Sequence, residues 1–167
     1  MPVRSGGSET AAPMATGAEG AIRFTILGEP ASKANSRKIV TIAGRPSSIK
    51  SQKARGFEAD ALMQIPPAAR QRIEGPVRVW LRIWYASERP DLDESIVLDV
   101  LQDRYGKAPR GADGKPAGPR PLVQAGVYRN DRQVREKHVF HGIDRKNPRV
   151  EALIEPLQAR QMDLVSV

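Results

Sequence analysis

Val77-Arg78-Val79-Trp80-Leu81-Arg82-Ile83-Trp84-Tyr85 is the stretch that decides how this chain folds. Val77, Val79, Leu81, Ile83 and Tyr85 fall on one side and Arg78, Trp80, Arg82 and Trp84 on the other, the two-residue period of a strand with one face in a core. Pro76 opens it. The second face alternates guanidinium and indole. Such groups stack on bases or contact phosphates, and they equally pack beneath a helix or across a dimer interface.

The neighbouring segments supply partners for that strand. Ile22, Phe24 and Ile26 alternate with Arg23 and Thr25, which predicts a half-buried strand ended by Gly28-Glu29-Pro30. From Ser51, the positions Ala54, Phe57, Ala61, Leu62 and Ile65 share one face of a helix that Pro66-Pro67 stops. A short helix follows at Glu94–Gln102, with Val97, Leu98 and Leu101 on one side. Order resumes at Ala125-Gly126-Val127-Tyr128. Strands are then predicted over Val134–His141 and Val150–Ile154, the last ended by Pro156. Between that short helix and Ala125, residues 106–121 hold four glycines, four prolines, four basic residues and one acid, the composition of a mobile basic loop. Residues 1 to about 20 are small and polar and read as a disordered tail, too poor in bulky apolar groups to offset the entropy of ordering.

Composition narrows the partners. A chain of 167 residues suits one domain, and its formal charge of +8 with a pI of about 10.2 fits a polyanion such as nucleic acid or an anionic membrane. Membrane is the weaker option. No run of about 18 apolar residues spans a bilayer and no signal-peptide core follows Met1, so a soluble cytoplasmic protein is expected. Cysteine is absent, which excludes disulfides, thiolate zinc sites and a cysteine nucleophile. The segment from Lys33 to Arg55 carries Lys33, Arg37, Lys38, Arg45, Lys50, Lys53 and Arg55 and no acid. With Ser32, Ser36, Ser47, Ser48 and Ser51 beside them, these residues are expected to form a loop that contacts phosphates without reading bases.

Among so many cations, three acids stand out. Asp91 and Asp93, two apart in Arg89-Pro90-Asp91-Leu92-Asp93, point to one side of an extended segment, and Asp131 follows in Arg129-Asn130-Asp131-Arg132-Gln133-Val134. Carboxylates so paired suit Mg²⁺ or Mn²⁺, although a solvated loop can carry the same pattern. Glu94 and Asp99 lie near, and Asp99, beside core leucines, is expected to be structural. His138 and His141, three apart in a strand, face opposite sides and are assigned surface or phosphate roles rather than metal ligation.

RPDLD, an apolar helix ending LDVL, and then G-V-Y-R-N-D-R-Q-V together resemble the RusA family of Holliday junction resolvases, found in bacteria and their phages. The resemblance spans roughly Ile22 to Pro156 in element order and is specific in the two short motifs. It implies an α+β fold, with a small mixed sheet packed by helices in one domain over residues 21–157 and a carboxy-terminal tail over 158–167. It further implies a homodimer that cuts branched DNA, a four-way junction above all, with Mg²⁺, or Mn²⁺ in its place. Asp91, Asp93 and Asp131 then become catalytic metal ligands. Arg129, Arg132 and Lys137 would offset charge on the phosphate. The family's lysine, four residues after the second aspartate, falls here on Val97, or on Ser95 if the alignment shifts by two. Lys33, Lys38 and Lys137 are the candidates to replace it. The alternative is a DNA-binding or phage packaging accessory protein that keeps the fold without turnover.

Overall fold

The computed structural model describes residues 20–89 and 91–157. The tails expected at either end, Gly20 apart, lie outside the described residues. Along the chain come β1 (Ile22–Leu27), α1 (Lys33–Ser36), β2 (Arg37–Ile42), β3 (Arg45–Lys50), α2 (Gln52–Gln64), β4 (Val77–Tyr85), α3 (Ser95–Leu101), β5 (Arg104–Tyr105), β6 (Leu122–Gln124), β7 (Val134–Ile143) and β8 (Arg149–Pro156). Single turns of 3₁₀ helix sit at Pro67–Ala69 and Asp131–Gln133.

Four strands form the main sheet in the order β1-β8-β4-β7, with β4 antiparallel to β8 and parallel to β7. The decisive stretch is therefore an inner strand. Its register aligns Ile22, Ile154 and Val79 in one row, Phe24, Ala152 and Leu81 in the next, and Ile26, Val150 and Ile83 in a third. All nine are buried in a single core with Ala54, Phe57 and Ala61 of α2 and Ile96, Val97, Val100 and Leu101 of α3. Full burial of each large side chain stabilises the fold by about 2 kcal/mol, which is why the alternation along β4 governs the whole arrangement. The chain is a small α+β domain with a mixed sheet and few helices. Among the described residues, no helix is long and apolar enough to cross a membrane.

Helix α2 begins where expected, because the Ser51 hydroxyl accepts the Ala54 N–H at 3.1 Å and caps the first turn. Its other end is tied to β1: the Gln64 amide accepts from Leu27 N at 2.7 Å and donates to Leu27 O at 3.0 Å. Leu62 and Leu98 pack against the core only partly, so the buried stripes of α2 and α3 are narrower than the sequence pattern suggests. The last strands also run further than predicted, to Ile143 and from Arg149 to Pro156.

One loop expectation is corrected. The basic segment from Lys33 is a helical turn, an antiparallel hairpin β2–β3 and the start of α2. Its backbone pairs with itself, so the strands form without burying a face. Residues 106–121 hold no helix or strand, and the loop is tied at its base: β5 and β6 pair beneath it, Arg110 bridges Pro116, and Arg120 donates to the carbonyls of Gly106 and Tyr105. Glycine and proline leave few donors and little apolar bulk here, yet the pairing at the base fixes the hairpin's ends.

Among the described residues, no helix covers the other side of the sheet. There Trp80 stacks on His138 at 3.8 Å and donates to Glu155 at 3.0 Å, while Trp84 meets Phe140 edge-on at 5.7 Å beneath the Arg149 guanidinium. Arg78 pairs with Glu136 at 2.8 Å and Arg82 with Glu151 at 3.8 Å. The guanidinium groups of this face are thus engaged by carboxylates rather than displayed alone. His141 lies on the opposite side, half-buried and edge-on to buried Tyr85, with its Nε2 shielded.

Candidate functional site

Three segments close around a cleft of about 360 Å³. The α1 turn brings Lys33 and Ser36, the root of the hairpin brings Arg37 and Lys50, and the β4–α3 connection with α3 brings Asp93, Ser95 and Asp99. The mixture is unusual: three cations face two carboxylates, with Ala54 and Ile96 as the apolar floor.

The local chain explains each placement. Asp91 fastens the β4–α3 connection to α1, since its carboxylate accepts from Ala34 N at 2.9 Å and its carbonyl from Lys33 N at 2.9 Å. The Ala34 N–H, ahead of the Ser32 hydroxyl, holds the Asp91 carboxyl below the usual carboxylate range. Asp93 sets the start of α3, accepting from Ser95 N at 3.0 Å and from the Ser95 hydroxyl at 2.8 Å. At that helix end a negative charge is favoured. Burial pushes the neighbouring Glu94 carboxyl up, but its ion pair with Lys137 outweighs this and leaves it low.

Asp131 begins the 3₁₀ turn, which carries a full capping box: Asn130 accepts from Arg132 N at 3.1 Å, and Gln133 reaches back to Asn130 N at 3.1 Å. The Asp131 N–H donates to the Gln102 side chain at 3.3 Å, and Gln102 in turn donates to Asp99 at 3.4 Å. Asp131 and Asp99 therefore flank the same helix end. Between them Tyr128, buried and donating to Leu98 O at 3.0 Å, has its hydroxyl pushed far above its usual range by burial first and by these two carboxylates second.

The three acids singled out by sequence are not brought together as one set. Among the described residues, no group of three or more His, Cys, Asp or Glu side chains is placed to hold a metal ion. The acids that share a cleft are Asp93 and Asp99. Asp99 was expected to be structural, yet Ser95, Asp99 and Gln102 recur at the spacing of one helix face, and that polar stripe was the available signal.

The cations divide into free and engaged. Lys50 pairs with Glu58 at 2.8 Å and with Asp99 at 3.5 Å, and Arg104 also binds Glu58. Burial raises the Glu58 carboxyl, but Lys50 and Arg104 pull it below the ordinary value. Lys53 pairs with Glu29 at 3.0 Å, Arg129 with Glu74, and Lys137 with Glu94. Arg55 lies on α2 beside Glu58 and Arg104, Arg132 is exposed in the 3₁₀ turn, and Lys38 and Arg45 are exposed on the hairpin. Of Lys33, Lys38 and Lys137, Lys33 lines the cleft. Val97 itself is fully buried.

No family model matches the chain, and no curated protein matches it either.

Proposed function

We propose that this protein is a structure-selective endodeoxyribonuclease that hydrolyses phosphodiester bonds in branched DNA, in the manner of the RusA resolvases it resembles. One observation carries the reading: a single cleft places Asp93 and Asp99 opposite Lys33, Arg37 and Lys50. Carboxylates alone repel a phosphate, the cations offset that repulsion, and the carboxylates can hold the divalent ion that hydrolysis would use.

A Mg²⁺ or Mn²⁺ ion bound there would activate water and neutralise charge on the phosphate, with Asp93 and Asp99 as cleft carboxylates and Asp91 and Asp131 flanking. The chain's own residues do the rest. Lys33 and Arg37 bind the phosphate and set its orientation. Lys50, already paired with Asp99 and Glu58, is held by those carboxylates where a phosphate oxygen would enter. Ser36 and Ser95 add hydroxyl donors at the rim. A homodimer would bring two such clefts to the two equivalent strands of a four-way junction.

The second reading is a DNA-binding protein without turnover. It is favoured by the main-chain and Ser95 hydrogen bonds already made by Asp91 and Asp93 and by the Lys50–Asp99 pair. Incubating the protein with labelled junction, flap and linear duplex, with Mg²⁺ and with EDTA, separates the two. Cleavage of branched substrates in Mg²⁺ alone, abolished by Asp93→Asn with binding retained, is the expected result. Binding without cleavage under every condition supports the second reading, and cleavage by Asp93→Asn removes this cleft from the chemistry.

A further inference from the structure

The β2–β3 hairpin stands apart from the body of the domain. None of its residues belongs to the core, and its strands pair only with each other. Lone two-stranded hairpins are marginal in water, so a projecting one that exposes apolar residues calls for a partner. Its register puts Arg37, Ile39, Thr41, Pro46, Ser48 and Lys50 on one face. Ile39 is the extreme, 78% exposed in the middle of that face. Lys38 and Arg45, both exposed, extend from the opposite face. The tip is tight: Ala43 and Gly44 link the strands alone, both with positive φ (49° and 75°), which matches the twist of a two-residue hairpin turn.

Size and charge name the occupant. Two strands lie about 4.8 Å apart, and six residues extend about 20 Å, dimensions that a duplex major groove roughly 12 Å wide accommodates. The hairpin carries Arg37, Lys38, Arg45 and Lys50 and no acid, the complement of a polyanion. Its root, Arg37 paired with Lys50, is also one wall of the cleft. We propose that β2–β3 is a duplex-reading ribbon that enters the major groove beside the phosphate delivered to the cleft. Ile39 and Thr41 face the base edges, where thymine methyl groups are the apolar contact, and Lys38 and Arg45 reach the phosphates on either wall. This rests on the nucleic-acid reading above and adds to it a groove, a register and a base feature.

The test measures binding in EDTA, so it does not depend on cleavage. Fluorescence anisotropy with a duplex arm, over a series of salt concentrations, compares wild type with Lys38→Ala/Arg45→Ala and with Ile39→Ser. Removing two phosphate contacts lowers the slope of log affinity against log salt by about 1.8. Replacing thymine by uracil weakens wild type about fourfold for each methyl lost from the contact, and leaves Ile39→Ser unchanged. An unaltered salt slope together with equal sensitivity of Ile39→Ser to uracil overturns the ribbon while leaving DNA binding intact. Wild type that binds no duplex or junction at all overturns the nucleic-acid reading itself. Sedimentation closes the remaining route: variants that lose DNA affinity only because a dimer dissociates would show the hairpin to be a contact between copies, and the inference would fall.

Discussion

Gly126→Ala is expected to be among the most damaging single-methyl changes in this protein. A Cβ at position 126 would lie 2.3 Å from the Gln102 carbonyl carbon, 2.5 Å from Asp103 N and 2.6 Å from Leu101 O. Those atoms are all main chain, so no side chain can swing aside. Restoring ordinary contact needs the segment to retreat by about 1 Å from the end of α3, and overpacking of this kind costs about 1–3 kcal/mol. The retreat also stretches Gly126 N to Asp103 (2.8 Å), Val127 N to Leu101 O (2.7 Å) and Arg72 N to Gly126 O (3.1 Å), each contributing about 1 kcal/mol. A loss of about 4 kcal/mol follows, or a fall in Tm of roughly 12 °C for a domain of this size. Calorimetry or urea melts measure it. Because Val127 and Tyr128 lead straight to Asp131, the nuclease activity proposed above should fall with stability. A Tm within about 2 °C of wild type would refute the close packing of this segment on α3.

Further outcomes check other parts of the structure. Gly56→Ala, in α2 with open space around it, should stabilise the fold by about 0.5–1 kcal/mol in the same melts, and any loss would mean that α2 is crowded there. Burial raises the Asp103 carboxyl, but Arg72, Gly126 N and the Tyr105 hydroxyl outweigh it, leaving it below the ordinary value. A lowered folded pKa gives stability that is present above the unfolded value of about 4 and lost as pH falls through the folded one. Urea melts should therefore show wild type losing its advantage over Asp103→Asn as pH drops from neutrality to about 3, and a constant difference would contradict this. Burial, ahead of Asp93, Glu29 and Glu94, pushes the Tyr85 hydroxyl up to about 12, and Tyr128 lies higher. Unfolding at about pH 11 should thus release tyrosinate absorbance from both, and Tyr128→Phe should halve that increment.

The readability of this chain follows burial. β1 and β4 could be read because each buries one face against a common core, and burial writes a two-residue period into the sequence. β2 and β3 bury nothing, so Arg37–Ile42 and Arg45–Lys50 carry no alternation and looked like a loop. The acids show the same limit. Asp93 and Asp131 stood out by their short motifs, but whether they meet depends on chain geometry that spacing does not encode. Asp103 went unremarked, although its side chain is shielded and holds Arg72, Gly126 N and Tyr105. Two of those partners lie 31 and 23 residues away, so no local window contains the interaction.

The parallel pairing of β4 with β7 has a kinetic consequence. A parallel partner cannot be reached by a tight turn, so the chain must leave one end of the sheet and return to the other. That return path, from Ala86 to Gln133, holds Asp91, Asp93, Asp99 and Asp131 together with the long hairpin at 106–121. Closing so long a loop before its contacts form is entropically uphill and slow. The acidic wall of the cleft should thus be among the last parts of the molecule to assemble, and α1, which Asp91 fastens, would gain its anchor only then.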